Sequence, residues 1–208
     1  MEPYGFIKNL VLKIWYSLIQ VTGLTGTFLD KRTIRGCAKE HNIPVTNIET
    51  PQDDHFLERI TEIHPDIIIN QSELLLKKEI INVPGIGIIN RHGSLLPRFR
   101  GRLATFWSHA AEPPEYGITI HFVDEGIDTG PIIIQQPLDI SPKATFSEVL
   151  EIVFRHSSEL MLTAIRRVED PGFKPKPNNH EETPLYPFPS LDDIRTYRRT
   201  LQERRSHK

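Results

Sequence analysis

The chain has 208 residues, 38% of them apolar and 25% charged, which is enough for one domain with a substantial core. A formal net charge of −2 gives no general attraction to nucleic acid or to anionic membrane. A single cysteine, Cys37, excludes an internal disulfide framework, and no Cys/His spacing forms a zinc site; a cytoplasmic protein without a metal is expected.

Phe6 to Val21 is apolar-rich, but Lys8 and Lys13 break the run of about 18 residues that a membrane span needs. Ile7, Leu10, Val11, Ile14, Trp15 and Leu18 share one helical face, and Asn9, Lys13, Tyr16, Ser17 and Gln20 share the other. That pattern predicts an amphipathic helix, followed by a Thr/Gly-rich joint over 22–27. The start carries no basic segment of the signal-peptide kind. Next come a helix from Lys31 to His41 and a short strand at Ile43-Pro44-Val45. A helix from Asp53 to Ile63 turns Phe56, Leu57, Ile60 and Ile63 inward. Asp66 to Asn70 reads as a buried strand, Ser72 caps a short helix through Ile80, and Gly87 to Asn90 is a further strand. This alternation predicts an α/β fold with a mostly parallel sheet and flanking helices.

Farther along, Leu103 to Ala111 reads as a helix, and Ile118 to Val123 and Ile132 to Leu138 as strands. Thr145 with Glu148 forms a capping-box pattern that opens a long helix. Phe146, Val149, Leu150, Val153, Leu160, Met161, Ala164, Ile165 and Val168 give that helix its core face. Six prolines between Pro171 and Pro189 predict an extended wrap, and Leu191 to Arg205 an arginine-rich helix. The organisation is therefore an N-terminal helix and joint over 1–30, a catalytic domain over 31–170, and a Pro-rich wrap with a terminal helix over 171–208.

The chemistry concentrates in two loops. Asn90 and His92 stand two apart at the end of an apolar run, so on a strand they point the same way. The turn Gly93-Ser94-Leu95-Leu96-Pro97 follows directly. The second loop is Asp124-Glu125-Gly126-Ile127-Asp128-Thr129-Gly130. An amide, an imidazole and a carboxylate at strand ends suit reactions of a carbonyl group, and ligands of such sheets bind beyond the strands' carboxyl ends. Ser94 has no Gly-x-Ser-x-Gly elbow and reads as a turn residue rather than a nucleophile.

From Ala38 to Val168 the chain resembles the folate-dependent formyltransferase family. The matching residues are Asn90-x-His92-x-Ser94-Leu95-Leu96-Pro97-x-x-x-Gly101, then Gly117-Ile118-Thr119-Ile120-His121, then Asp128-Thr129-Gly130-Pro131-Ile132-Ile133. The family includes phosphoribosylglycinamide, methionyl-tRNA and nucleotide-sugar N-formyltransferases. The resemblance implies a Rossmann-like fold, here N-terminally incomplete, because the family's first buried strand and Gly-rich turn have no counterpart before Ile43. It also implies transfer of a formyl group from 10-formyltetrahydrofolate to a primary amine through a tetrahedral intermediate, without a metal. Asn90, His92 and Asp128 are then the catalytic set. Asn90 would donate to the oxyanion, His92 would donate or accept a proton, and Asp128 would orient His92 or relay a proton through water.

The resemblance sets the pterin against Leu74, Leu75, Leu76 and Ile88 and against the loop of Val123, Asp124, Glu125, Gly126 and Ile127. Ser94, Arg98, Arg100, Trp107 and His121 are the expected acceptor contacts, and Arg98, Arg100 and Arg102 after the turn are suited to an anionic group such as a phosphate. The expected acceptor is a small phosphorylated or nucleotide-linked amine, with no nucleic acid partner and no transmembrane segment; a homo-oligomer stays open. Phe106-Trp107 after Arg100-Gly101 points to the nucleotide-sugar branch, although Arg102-Leu103-Ala104 stands where that branch carries a proline. Three other readings use the same motif: a methionyl-tRNA formyltransferase-like enzyme, a catalytically silent relative that binds folate or acceptor, and a formyl-folate hydrolase.

Overall fold

The computed structural model describes residues 33–206 apart from 49, 52 and 73. The amphipathic helix expected over 1–30 lies outside the described residues. The chain divides into two units, Met1–Glu49 and Thr50–Lys208. In the first, helix α1 (Ile34–Glu40) starts at Thr33, whose hydroxyl accepts the Gly36 N–H. The strand expected at 43–45 does not form. Pro44 has no N–H to give to a ladder, and the segment pairs with no strand among the described residues.

The second unit opens with α2 (Asp54–Ile63), capped by the Asp53 carboxylate on the His55 N–H. His64 turns left-handed and Pro65 stops the helix. There follow β1 (Ile67–Asn70), α3 (Lys78–Ile81), β2 (Gly87–His92), β3 (Arg100–Gly101), α4 (Ala104–Ala110), β4 (Gly117–Phe122), β5 (Ile132–Pro137), α5 (Phe146–Val168), β6 (Leu185–Tyr186) and α6 (Leu191–Ser206). Strands β1, β2, β4 and β5 lie side by side in that order, and β3 pairs with β6 in a second small sheet.

The fold is α/β and Rossmann-like, with helices flanking the sheet. Among the described residues the parallel pairing is that of β1 with β2, which sets Asn70 beside Asn90. The chain between them is long enough to cross over. The β2–β4 and β4–β5 pairs are antiparallel, and the acidic loop between β4 and β5 is too short for a crossover. Ile89, Ile118, Ile120 and Ile133 pack against Val149, Val153, Leu160, Ala164 and Val168 of α5. These side chains are fully or nearly fully buried, and each Ile, Leu or Val among them stabilises by about 1.5–3 kcal/mol. The reciprocal Thr145–Glu148 capping box forms as expected.

Two further elements differ from the sequence reading. No helix starts at Ser72; the helix that forms here, α3, begins only at Lys78. The Asn70 side-chain oxygen accepts both the N–H and the hydroxyl of Ser72, so this serine closes β1 rather than capping a helix. The Pro-rich segment is extended, as expected, but also contributes β6 and a Lys176 bridge to Ile132. No helix of the described residues is long and apolar enough to cross a membrane.

Candidate active site

Asn90 and His92 end β2, and β4 brings His121 directly opposite Asn90. Asp128 arrives from the acidic loop with φ of 52°, a left-handed position that Asp tolerates. The loop is tied down from outside. Asn178 donates to the Asp128 carbonyl at 2.9 Å and to the Gly130 carbonyl at 3.1 Å. A Cβ at Gly130 would fall on the Phe122 carbonyl, so only glycine lets the loop rejoin β5 this closely.

The Asp128 carboxylate accepts the Gly101 N–H at 2.8 Å and faces two imidazoles. It stands 3.5 Å from His92 Nδ1 and 3.7 Å from His121 Nε2. Burial alone would push its pKa up. The facing His92, the Gly101 N–H and His121 outweigh that and hold it down at about 2, so the group is anionic at neutral pH.

His92 is buried, with Nε2 3.0 Å from the Phe99 carbonyl oxygen. A carbonyl can only accept, so this nitrogen carries a proton, and Nδ1 is the nitrogen that faces Asp128. His121 Nδ1 donates to the Phe122 carbonyl by the same logic, at 2.7 Å. Its buried Nε2 has no hydrogen-bond partner. Burial and the neighbouring His92 lower the His121 pKa against the pull of Asp128, so this ring is neutral with a free acceptor nitrogen.

These groups open on a cavity of about 730 Å³. Of the residues singled out from sequence, Leu74, Leu75, Leu76, Asn90, His92, His121, Val123, Asp124, Gly126, Ile127 and Asp128 line it. The other expected contacts lie elsewhere. Ile88 is buried in a core cluster with Ile60 and Ile80, and Glu125 pairs with Lys78 at 3.0 Å. Ser94 is buried, its hydroxyl donating to the Arg98 carbonyl. Arg98 pairs with Glu115 at 3.1 Å. Arg100 spends its guanidinium on the carbonyls of Ile127 and His180, and Trp107 donates to the Pro187 carbonyl.

Sequence reasoning placed Arg102 toward the acceptor but missed Gln71, Arg91, Phe154, Tyr186 and Pro187, all in the cavity wall. Arg91 was visible inside the Asn90-x-His92 motif. Tyr186 and Pro187 come from the wrap, which has no periodicity to mark them.

The formyl transferase family model matches residues 24–165. The methionyl-tRNA formyltransferase of Clostridioides difficile (strain 630) is 30% identical over 164 residues, 78% of this chain and 53% of that protein. The chain thus spans about half the length of the curated relatives it matches. Phosphoribosylglycinamide formyltransferase from Bacillus Halodurans superposes with a TM-score of 0.60 at 26% identity, over 66% of this chain and 75% of that one. The formyltransferase PseJ from Anoxybacillus kamchatkensis was solved in complex with UDP-4,6-dideoxy-4-formamido-L-AltNAc and tetrahydrofolate. It superposes with a TM-score of 0.52 at 23% identity, over 64% of this chain and 67% of that one.

Proposed function

The chain belongs to the formyl transferase family, and on that premise we propose that Asn90, His92 and Asp128 transfer a formyl group from 10-formyltetrahydrofolate to a primary amine. The observation that carries this reading is a half-buried, deprotonated Asp128 beside His92, at a cavity that Asn90 also lines. The cavity volume falls within the usual range of small-molecule sites. Leu74, Leu75, Leu76, Val123 and Ile127 offer the aliphatic surface that a flat bicyclic ring needs.

In this mechanism the amine nitrogen bonds to the formyl carbon and the bond from that carbon to the folate nitrogen breaks. Asn90 donates an N–H to the formyl oxygen as negative charge grows there, with no charge of its own to desolvate. The Asp128–His92 pair takes the proton that the amine loses, through Nδ1, and a proton is returned to the folate nitrogen. Asp128 keeps its charge throughout and stabilises the imidazolium.

For the acceptor we propose a small phosphorylated or nucleotide-linked amine. Its anionic contact passes from Arg98 and Arg100, which are engaged elsewhere, to Arg102. The Arg102 side chain is exposed in the cavity wall near Tyr186 and has no ion-pair partner among the described residues. A second reading, the aminoacyl end of methionyl-tRNA, is favoured by the names of the curated relatives, which give no support to excluding nucleic acid. A cytoplasmic setting, and a catalytic part over 31–170 completed by the wrap, belong to the same proposal.

The test is to supply the formyl donor with phosphorylated amino sugars, with methionyl-tRNA or with no acceptor, and to follow donor loss and formylated product by mass spectrometry. Product with one acceptor class identifies it. Formate released without any amine identifies a hydrolase, and donor binding without consumption a silent relative. Absence of donor binding by the folded chain refutes the reading.

A further inference from the structure

We infer that Arg91 and Gln71 are positioning residues, which together fix the orientation of the Asn90 amide. Gln71 follows directly on β1, whose last residue lies beside Asn90 in the parallel pair. Arg91 Nε donates to Gln71 Oε1 at 3.3 Å, and Gln71 Nε2 reaches Asn90 Oδ1 at 3.3 Å. Gln71 Nε2 also donates to the Asn70 backbone carbonyl at 2.8 Å. The guanidinium is half-buried and lies over the Phe154 ring, 4.5 Å from its centroid, so its place is itself constrained.

The direction of this chain of bonds follows from what each group can do. A guanidinium only donates, so the Gln71 oxygen must face Arg91. A peptide carbonyl only accepts, so the Gln71 nitrogen must face Asn70. Both ends of the Gln71 amide are held by groups unable to exchange roles, and its remaining N–H goes to Asn90. The Asn90 oxygen is thereby occupied, and its two N–H donors are left for the cavity. An amide rotates about a broad, roughly two-fold torsion, so without this relay the oxygen would face the cavity about as readily. An oxygen there would repel the growing oxyanion.

The consequence for catalysis rests on the proposed function; the relay does not. Gln71→Glu is the discriminating variant. It keeps size and the Arg91 contact, but a carboxylate cannot donate, so Asn90 must turn its N–H groups toward Glu and its oxygen to the cavity. Calorimetry would compare 10-formyl-5,8-dideazafolate with its unformylated parent. The ratio of the two affinities should fall about five- to tenfold in the variant, the effect of one hydrogen bond. Arg91→Met should give a smaller fall, which Arg91→Lys partly reverses.

In parallel, the Asn90 side-chain amide protons of the ¹⁵N-labelled chain should move downfield in Gln71→Glu, as they bond to the carboxylate. An unmoved Asn90 resonance with an unchanged affinity ratio would overturn the relay. If the wild-type chain binds neither folate while the Asn90 resonance still moves, the relay stands and the folate reading fails.

Discussion

Replacing Asp128 by Asn removes one charge and little else. Asn is at ease at φ of 52°, and its side-chain oxygen can still accept the Gly101 N–H, so the loop should keep its course. What is lost is the anion facing His92. The wild-type carboxyl is held at about 2 against an ordinary 3.8, burial working upward and His92, Gly101 and His121 prevailing. Because the folded value lies below the unfolded one, the stabilisation is complete above about pH 4 and disappears as pH falls through about 2. At about 1.4 kcal/mol per pH unit it amounts to about 2 kcal/mol at neutral pH, roughly half of which survives at pH 3. Urea unfolding of both proteins at about pH 6 and pH 3 measures it. The wild type should lose about 1 kcal/mol more than the variant between the two conditions. Equal losses would refute the coupling of Asp128 to its imidazoles. Turnover should fall by roughly 10²–10⁴ while donor binding persists.

Gly130→Ala drives a Cβ into the Phe122 carbonyl, a backbone atom with nowhere to go; thermal unfolding should show a loss of about 2 kcal/mol or more. Arg204, half-buried, donates to the carbonyls of His109 and Ala111 and to Glu112. Arg204→Met should cost about 2 kcal/mol, read as a fall of several degrees in Tm. Burial, then His92, keeps the folded pKa of His121 below 6.5. The unfolded chain therefore binds that proton first, and stability is full above pH 6.5 and declines below it. In His121→Gln, urea unfolding between about pH 6.5 and 5 should show a flatter profile.

The parts written locally in the sequence were the parts that could be read. The Thr145–Glu148 box starts α5 through bonds spanning three residues, and the aliphatic repeat that follows faces the sheet. Asn90 and His92 share a direction because a strand alternates. Contacts between distant segments were not legible. Arg100 looked free for a ligand beside its turn, yet its guanidinium binds carbonyls 27 and 80 residues away. Gln71 meets Arg91 only through the register of β1 on β2, which no local pattern encodes. Ser72 carried a true capping signal, but the oxygen of Asn70 claimed its N–H and hydroxyl at the strand end.

The ties between the wrap and the acidic loop impose an order on the birth of the protein. Asn178 is made 50 residues after Asp128, and His180 anchors Arg100 later still. A chain emerging from the ribosome therefore exposes its amide, imidazole and carboxylate well before the segment that holds the carboxylate loop. The helix α5 must be threaded out before those ties can close. The carboxylate loop is secured only once the chain has grown 50 residues past Asp128, so a nascent chain should bind no folate until the wrap has docked.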